Sequence, residues 1–412
     1  MEVMPISDLV RITNRRELKR ALTPRPMAMK PDMGVYYPML DALTARPASL
    51  SFLSEQWTDV DAWRGTGRAK VLKLLEFKPP DIPLNAKIES RTIEENLVVE
   101  EISYEMPYGP RTHGFFLYPE KRSEKLPAVV ALHDHGEFFF YGKEKITAIP
   151  TEPGILTEYT RHYYGGRSWA SELAKRGFAV LAVDSFLWGS RRIPLDSVNE
   201  QLQSGFVGVD EGSEEYVRRY NEFWSINECS LIVDSVLNAG ANWPGIFAYE
   251  DKRSVNYLLT RAEVDRERVG CGGLSMGGLR TIFLAGLDPR IKAAFCVGFM
   301  TTMRGILRNK IRCPPGHGLL MFVPYLCSYL DLPDVIGLHA PAPLMVQYNE
   351  EDELFTPEGQ HEADRKIIEI YRKARKPDEY VGSFHSGGHK FDVAMQNEAF
   401  DWLGKKLAGR VD

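Results

Sequence analysis

Five residues, Gly273-Leu274-Ser275-Met276-Gly277, limit what this chain can fold into more than any other stretch. A serine between glycines at this spacing belongs on a sharp turn from a strand into a helix, where neighbouring backbone passes too close for side chains. With 34 glycines among 412 residues, the pattern by itself is weak. Its flanks make it informative. Arg268-Val269-Gly270-Cys271 reads as a short strand, and residues 279–287 read as a helix of apolar and small residues. Strand, tight turn and helix together form a nucleophile elbow, which presents one hydroxyl at the end of a sheet.

A serine hydroxyl is a poor nucleophile at neutral pH. It needs a base, and the base needs a carboxylate to orient it. Both lie downstream. Pro343-Leu344-Met345-Val346-Gln347-Tyr348 reads as a buried strand and runs into Asn349-Glu350-Glu351-Asp352-Glu353. A later strand-like run, 379–384, leads to His385 and then to Ser386-Gly387-Gly388-His389. An imidazole of ordinary pKa can take the serine proton and return it to a leaving group. His389 follows a glycine pair that lets the chain turn sharply, whereas His385 still lies near the strand end. Glu350, Glu351, Asp352 and Glu353 compete for the carboxylate role, and most of such a charge run faces water.

The net charge of −5 provides no basic field for nucleic acid or an anionic membrane. No apolar run approaches a membrane span, and residues 1–20 are polar, unlike a signal peptide. Cys229, Cys271, Cys296, Cys313 and Cys327 are odd in number and scattered, which fits reduced thiols and a cytoplasmic location. A homo-oligomer is compatible with this composition.

Residues 1–90 differ from the rest and read as a mainly helical extension, with helix-like spacing over 50–77 and a Pro-rich break at 78–83. Residues 91–412 read as the catalytic domain. Strand signals at 97–102, 114–117, 128–132 and 179–183 alternate with helical ones, such as 168–175, and predict a mostly parallel sheet covered on both faces. Cap-like insertions are expected near 186–248, with a long helix over 214–241, and near 300–335, which carries Cys313-Pro314-Pro315-Gly316-His317-Gly318.

Several stretches share one resemblance. They are His133-Asp134-His135-Gly136, residues 184–191, Tyr257-Leu258-Leu259-Thr260-Arg261, the Ser275 elbow, Leu287-Asp288-Pro289-Arg290-Ile291 and Ala340-Pro341-Ala342-Pro343-Leu344. From about residue 95 to 410 the chain resembles the α/β-hydrolase superfamily, in its dienelactone-hydrolase and acetyl-xylan-esterase-like branch. The order serine, acid, histidine is that fold's order. The resemblance implies an α/β fold, a small-molecule carboxylic ester as substrate, and no cofactor. It places Asp352 at the acid position, with Leu354-Phe355 anchoring the loop, and Ser275, Asp352 and His389 as the catalytic set. The Met276 N–H is the expected first oxyanion donor. The second comes from the loop after the strand ending at Leu132: by family position His135, with Gly136 or Asp134 as alternatives and His133 structural. The chain departs from the family in writing His133-Asp134-His135-Gly136 where two glycines usually flank one histidine, and in placing Asn349 where glycine is usual.

Phe139 and Phe140, within Phe138-Phe139-Phe140-Tyr141, are expected to wall the substrate site, with Trp188 lining it. Arg191 is a candidate for a substrate carboxylate or carbonyl; its competing role is a salt bridge to Asp184 or another acid. His133, Asp134 and His135 also match an H-x-H metal pattern, but no second cluster stands at zinc spacing, so no metal is expected. Amide, peptide, lactone or C–C hydrolysis by the same triad, and a non-catalytic binding protein on the same scaffold, are the rival readings.

Overall fold

The computed structural model describes residues 34–308 and 322–407. Residues 1–20 and the Cys313-Pro314-Pro315-Gly316-His317-Gly318 stretch of the second insertion lie outside the described residues.

Among the described residues nine strands form one sheet in the order β1-β2-β3-β5-β4-β6-β7-β8-β9. They are β1 (Lys87–Glu94), β2 (Leu97–Tyr104), β3 (Thr112–Pro119), β4 (Leu126–Leu132), β5 (Ala179–Val183), β6 (Val264–Leu274), β7 (Ala293–Val297), β8 (Leu344–Asn349) and β9 (Tyr380–His385). β1, β2 and β3 are antiparallel, and β3 joins β5 antiparallel. From β5 through β4, β6, β7 and β8 to β9 every pairing is parallel. β1 has no counterpart among the sequence signals. Ile88 and Ile93 are exposed on this edge strand, so the apolar alternation that marks a half-buried strand is absent.

The main helices are α1 (Val60–Leu75), α2 (Gly154–Tyr164), α3 (Trp169–Lys175), α4 (Glu214–Asn227), α5 (Trp243–Leu258), α6 (Met276–Leu287), α7 (Pro357–Lys373) and α8 (Val393–Leu407). Parallel strands are buried on both faces, and side chains alternate between them. On β4, Ala128, Val130 and Leu132 enter one core while Val129 and Ala131 enter the other. The first core also takes Trp63, Val71 and Leu75 of α1, alongside Leu279, Ile282 and Phe283 of α6. Helix α1 thus packs behind the elbow. The helix expected over 214–241 is interrupted: α4 passes into a π-helical stretch at Glu228–Val233 and then a short helix at Asp234–Asn238. The expected insertion end at 248 falls inside α5.

Candidate active site

Ser275 stands between β6 and α6 with φ 59° and ψ −120°, a conformation that L residues rarely adopt. Such a residue costs on the order of 1–3 kcal/mol and persists only where its surroundings hold it. Here the Ser275 N–H donates to the Val297 carbonyl at the end of β7, and its own carbonyl accepts from Leu279 N–H, each at 2.9 Å. The flanking glycines let the turn press on β4. A Cβ on Gly273 would stand 2.0 Å from the Leu132 carbonyl oxygen, and one on Gly277 2.2 Å from the same atom. The Met276 N–H, first in α6, has no i−4 acceptor within the helix.

The histidine and acid meet at the same end of the sheet. His389 Nδ1 lies 2.7 Å from Asp352 Oδ2. The Asp352 side chain is fully buried, and its Oδ1 accepts from Leu354 N–H at 2.9 Å. Glu350, Glu351 and Glu353 are exposed. Phe355 is buried and edge-on to Phe299, which anchors the loop. Asn349, in the position where glycine is usual, ties the acid loop to the histidine loop: its Nδ2 donates to the Lys390 carbonyl at 3.0 Å. Glu350 N–H donates to His385 and Glu351 N–H to Gly387, so the two loops are laced together. The His389 ring rests on Gly298, where a Cβ would come within 3.3 Å of its Cε1. Gly298 directly follows the Val297 whose carbonyl holds Ser275. His385 is engaged elsewhere, with Nε2 2.9 Å from Glu398.

The loop after β4 carries its own hydrogen-bond network. The buried Asp134 carboxylate accepts from the hydroxyls of Tyr159 and Tyr164. Burial and the Asp134 charge push both tyrosines well above the usual phenol range, so they remain donors. His133 Nδ1 donates to the Asp134 carbonyl at 2.9 Å, and its Nε2 accepts from Ser185 Oγ at 3.1 Å. Burial holds this ring well below the usual imidazole pKa, and nearby Lys145 adds to the effect. His135 Nδ1 accepts from Glu137 N–H at 2.9 Å, so its Nε2–H donates to Glu228 at 2.8 Å. Glu228 opens the π-helical stretch, and such widened turns often occur at functional sites.

The four expected substrate residues divide. Phe139 and Trp188 are 1% and 0% exposed, and their rings stack at 4.8 Å. Trp188 Nε1 donates to the His135 carbonyl at 3.3 Å. These two rings pack beneath the loop and do not face a ligand-accessible surface, because the insertion's aromatic cluster covers them. Arg191 is likewise enclosed. It pairs with Glu250 at 2.7 Å, not with Asp184, and donates to the Tyr108 and Pro110 carbonyls. Asp184 instead binds Lys143 at 3.0 Å. Phe140 is partly exposed, edge-on to Tyr216 and Tyr220.

Four contributors were not foreseen: Lys145, Glu228, Asn349 and Tyr163, whose ring is edge-on to His389 at 6.4 Å. Only Asn349 carried a signal, as a departure from the family pattern. Among the described residues no group of three or more His, Cys, Asp or Glu side chains could hold a metal ion, and no helix is long and apolar enough to cross a membrane.

No family model matches the chain. It is 24% identical to the Bacillus subtilis protein named "Putative hydrolase YtaP" over 347 residues, 84% of this chain and all of that one. A Bacteroides fragilis structure described as a "putative acetyl xylan esterase" superposes with TM-score 0.66 at 16% identity, covering 85% of this chain and 81% of that one. A glucuronoyl esterase from Solibacter usitatus gives 0.59 at 18% identity, covering 88% and 98%. The chain is an α/β-hydrolase-fold protein, built on the architecture that these esterase structures share.

Proposed function

We propose that this protein hydrolyses a small carboxylic ester through an acyl-enzyme. The observation that carries the reading is the His389–Asp352 pair, with Asp352 alone of four neighbouring carboxylates buried and bonded to the ring, at the same end of the sheet as the strained Ser275. In this reading Ser275 Oγ attacks the ester carbonyl while His389 Nε2 takes its proton. Asp352 keeps the other ring proton on Nδ1 and stabilises the imidazolium. The tetrahedral oxyanion lies between the Met276 and His135 N–H groups. His389 then protonates the departing alcohol, and water repeats the sequence on the acyl-enzyme. Phe140, partly exposed beside the loop, borders the substrate. Residues 91–412 form the catalytic domain, and α1 acts as a buttress behind the elbow. The names of the structural neighbours support an ester as the bond cleaved. The test is a fluorophosphonate with intact-mass readout, together with hydrolysis of a short aryl ester. One reagent mass should add to the native chain and none to Ser275→Ala, which should also lose esterase turnover. Labelling that persists in the variant refutes the assignment.

A further inference from the structure

Lys145 lies directly behind the loop that follows β4, and its side chain is fully buried. Its ammonium donates to the Asp134 carbonyl at 2.5 Å and to the His135 carbonyl at 3.2 Å, with Asp134 Oδ2 at 3.6 Å. The Asp134 C=O and the His135 N–H are the two ends of one planar peptide group. His133 Nδ1 donates to the same carbonyl at 2.9 Å. Two donors on one carbonyl, one of them cationic, draw electron density from the amide and make its N–H a stronger donor. A buried ammonium is costly, and an apolar side chain of similar volume would commonly fill such a site at no loss of stability. The Asp134 carboxylate is already shared with two tyrosine hydroxyls, and the nearest Lys145 contacts are the carbonyls of the loop.

We propose that Lys145 is a positioning residue for ester hydrolysis: its ammonium pins and polarises the Asp134–His135 peptide so that the His135 N–H meets the developing oxyanion. This role rests on the function proposed above for Ser275 and His135. Lys145 transfers no proton in it; only its charge and its hydrogen bonds act.

The charge is titratable. Burial lowers the Lys145 pKa to about 8, with Asp134 and Asp184 opposing that shift and Arg280 adding to it. The groups that face it are Asp134 and neutral His133 on its own loop, Tyr159 from α2, Asp184 at the end of β5 with its partner Lys143, and Arg280 from α6. As pH rises through that value the ammonium loses its proton, the peptide loses its polarising charge, and kcat falls.

The test is kcat and KM for a short aryl ester from neutral to alkaline pH, on the full chain and on Lys145→Met and Asp134→Asn. Thermal unfolding and fluorophosphonate labelling are followed for each. Lys145→Met should lower kcat at neutral pH by about 10- to 100-fold, less than loss of a direct oxyanion donor, with KM within about threefold. Its alkaline limb should disappear. Asp134→Asn removes the charge that supports the ammonium, so its limb should move to lower pH. If Lys145→Met does not fold, that displacement alone decides. The role is overturned if Lys145→Met keeps kcat within about threefold, if only KM changes, or if Asp134→Asn leaves the limb in place. Failure of the unaltered chain to label at Ser275 overturns the underlying reading and this role with it. Intact labelling combined with any of the adverse kinetic results removes Lys145 alone.

Discussion

Replacing Asp352 by asparagine should cripple the protein without unfolding it, and the structure says why. Oδ1 of Asp352 accepts the Leu354 N–H, while Oδ2 faces His389 Nδ1 at 2.7 Å. In Asp352→Asn the backbone N–H of Leu354 still requires an acceptor, so the amide oxygen stays on that side. The amide NH2 then points at His389 Nδ1, which must offer a lone pair. The ring proton moves to Nε2, and no basic nitrogen remains for the serine. A wrong tautomer of this kind lowers kcat by about 10³- to 10⁴-fold, or ~4 to 5.5 kcal/mol of barrier. The side chain is isosteric and keeps a hydrogen bond on each side, so the thermal transition should shift by only a few degrees. The assay is steady-state hydrolysis of a short aryl ester, with KM expected within about threefold because the lost interaction acts only in the transition state. Glu350→Gln, Glu351→Gln and Glu353→Gln, all at exposed positions, should remain within about threefold of the unaltered protein. A kcat for Asp352→Asn within about tenfold of normal, or a crippling effect of Glu351→Gln, refutes this reasoning.

Three further outcomes are expected. Gly277→Ala forces a methyl to within 2.2 Å of the Leu132 carbonyl oxygen unless α6 retreats from β4, so denaturant unfolding should show a loss of about 1–3 kcal/mol with a disproportionate loss of turnover. His133 is held neutral by burial while the unfolded chain's histidine takes a proton near its ordinary pKa of about 6.5. The unfolded state therefore binds more protons below that pH, stability falls as the solution is acidified through it, and His133→Gln should flatten that fall in denaturant midpoints. Exhaustive chelation should leave ester hydrolysis intact, since the proposed chemistry uses only side chains and backbone dipoles; loss with rescue by a divalent ion contradicts it.

Local features made much of this protein legible without coordinates. A strand, a serine turn and a helix are neighbours in sequence, so the elbow around Ser275 is written in one short segment, and the strained φ observed there follows from it. The apolar runs that become β4, β5, β7 and β8 are buried on both faces, and that burial is why they read as continuous. β1 was silent because an exposed edge strand needs no such pattern. What the tertiary structure decided is chiefly which of several similar groups is buried. Asp352 differs from Glu350, Glu351 and Glu353 in facing inward, a property set by Leu354, Phe355 and the histidine loop and not by residue type. Arg191 finds Glu250 through the arrival of α5. His135 finds Glu228 across 93 residues of chain. Lys145 is enclosed behind the loop after β4, a burial that no local pattern around it announces. Charge and hydrogen-bonding capacity are properties of residues. Desolvation, which gives them their strength, is a property of the packed whole.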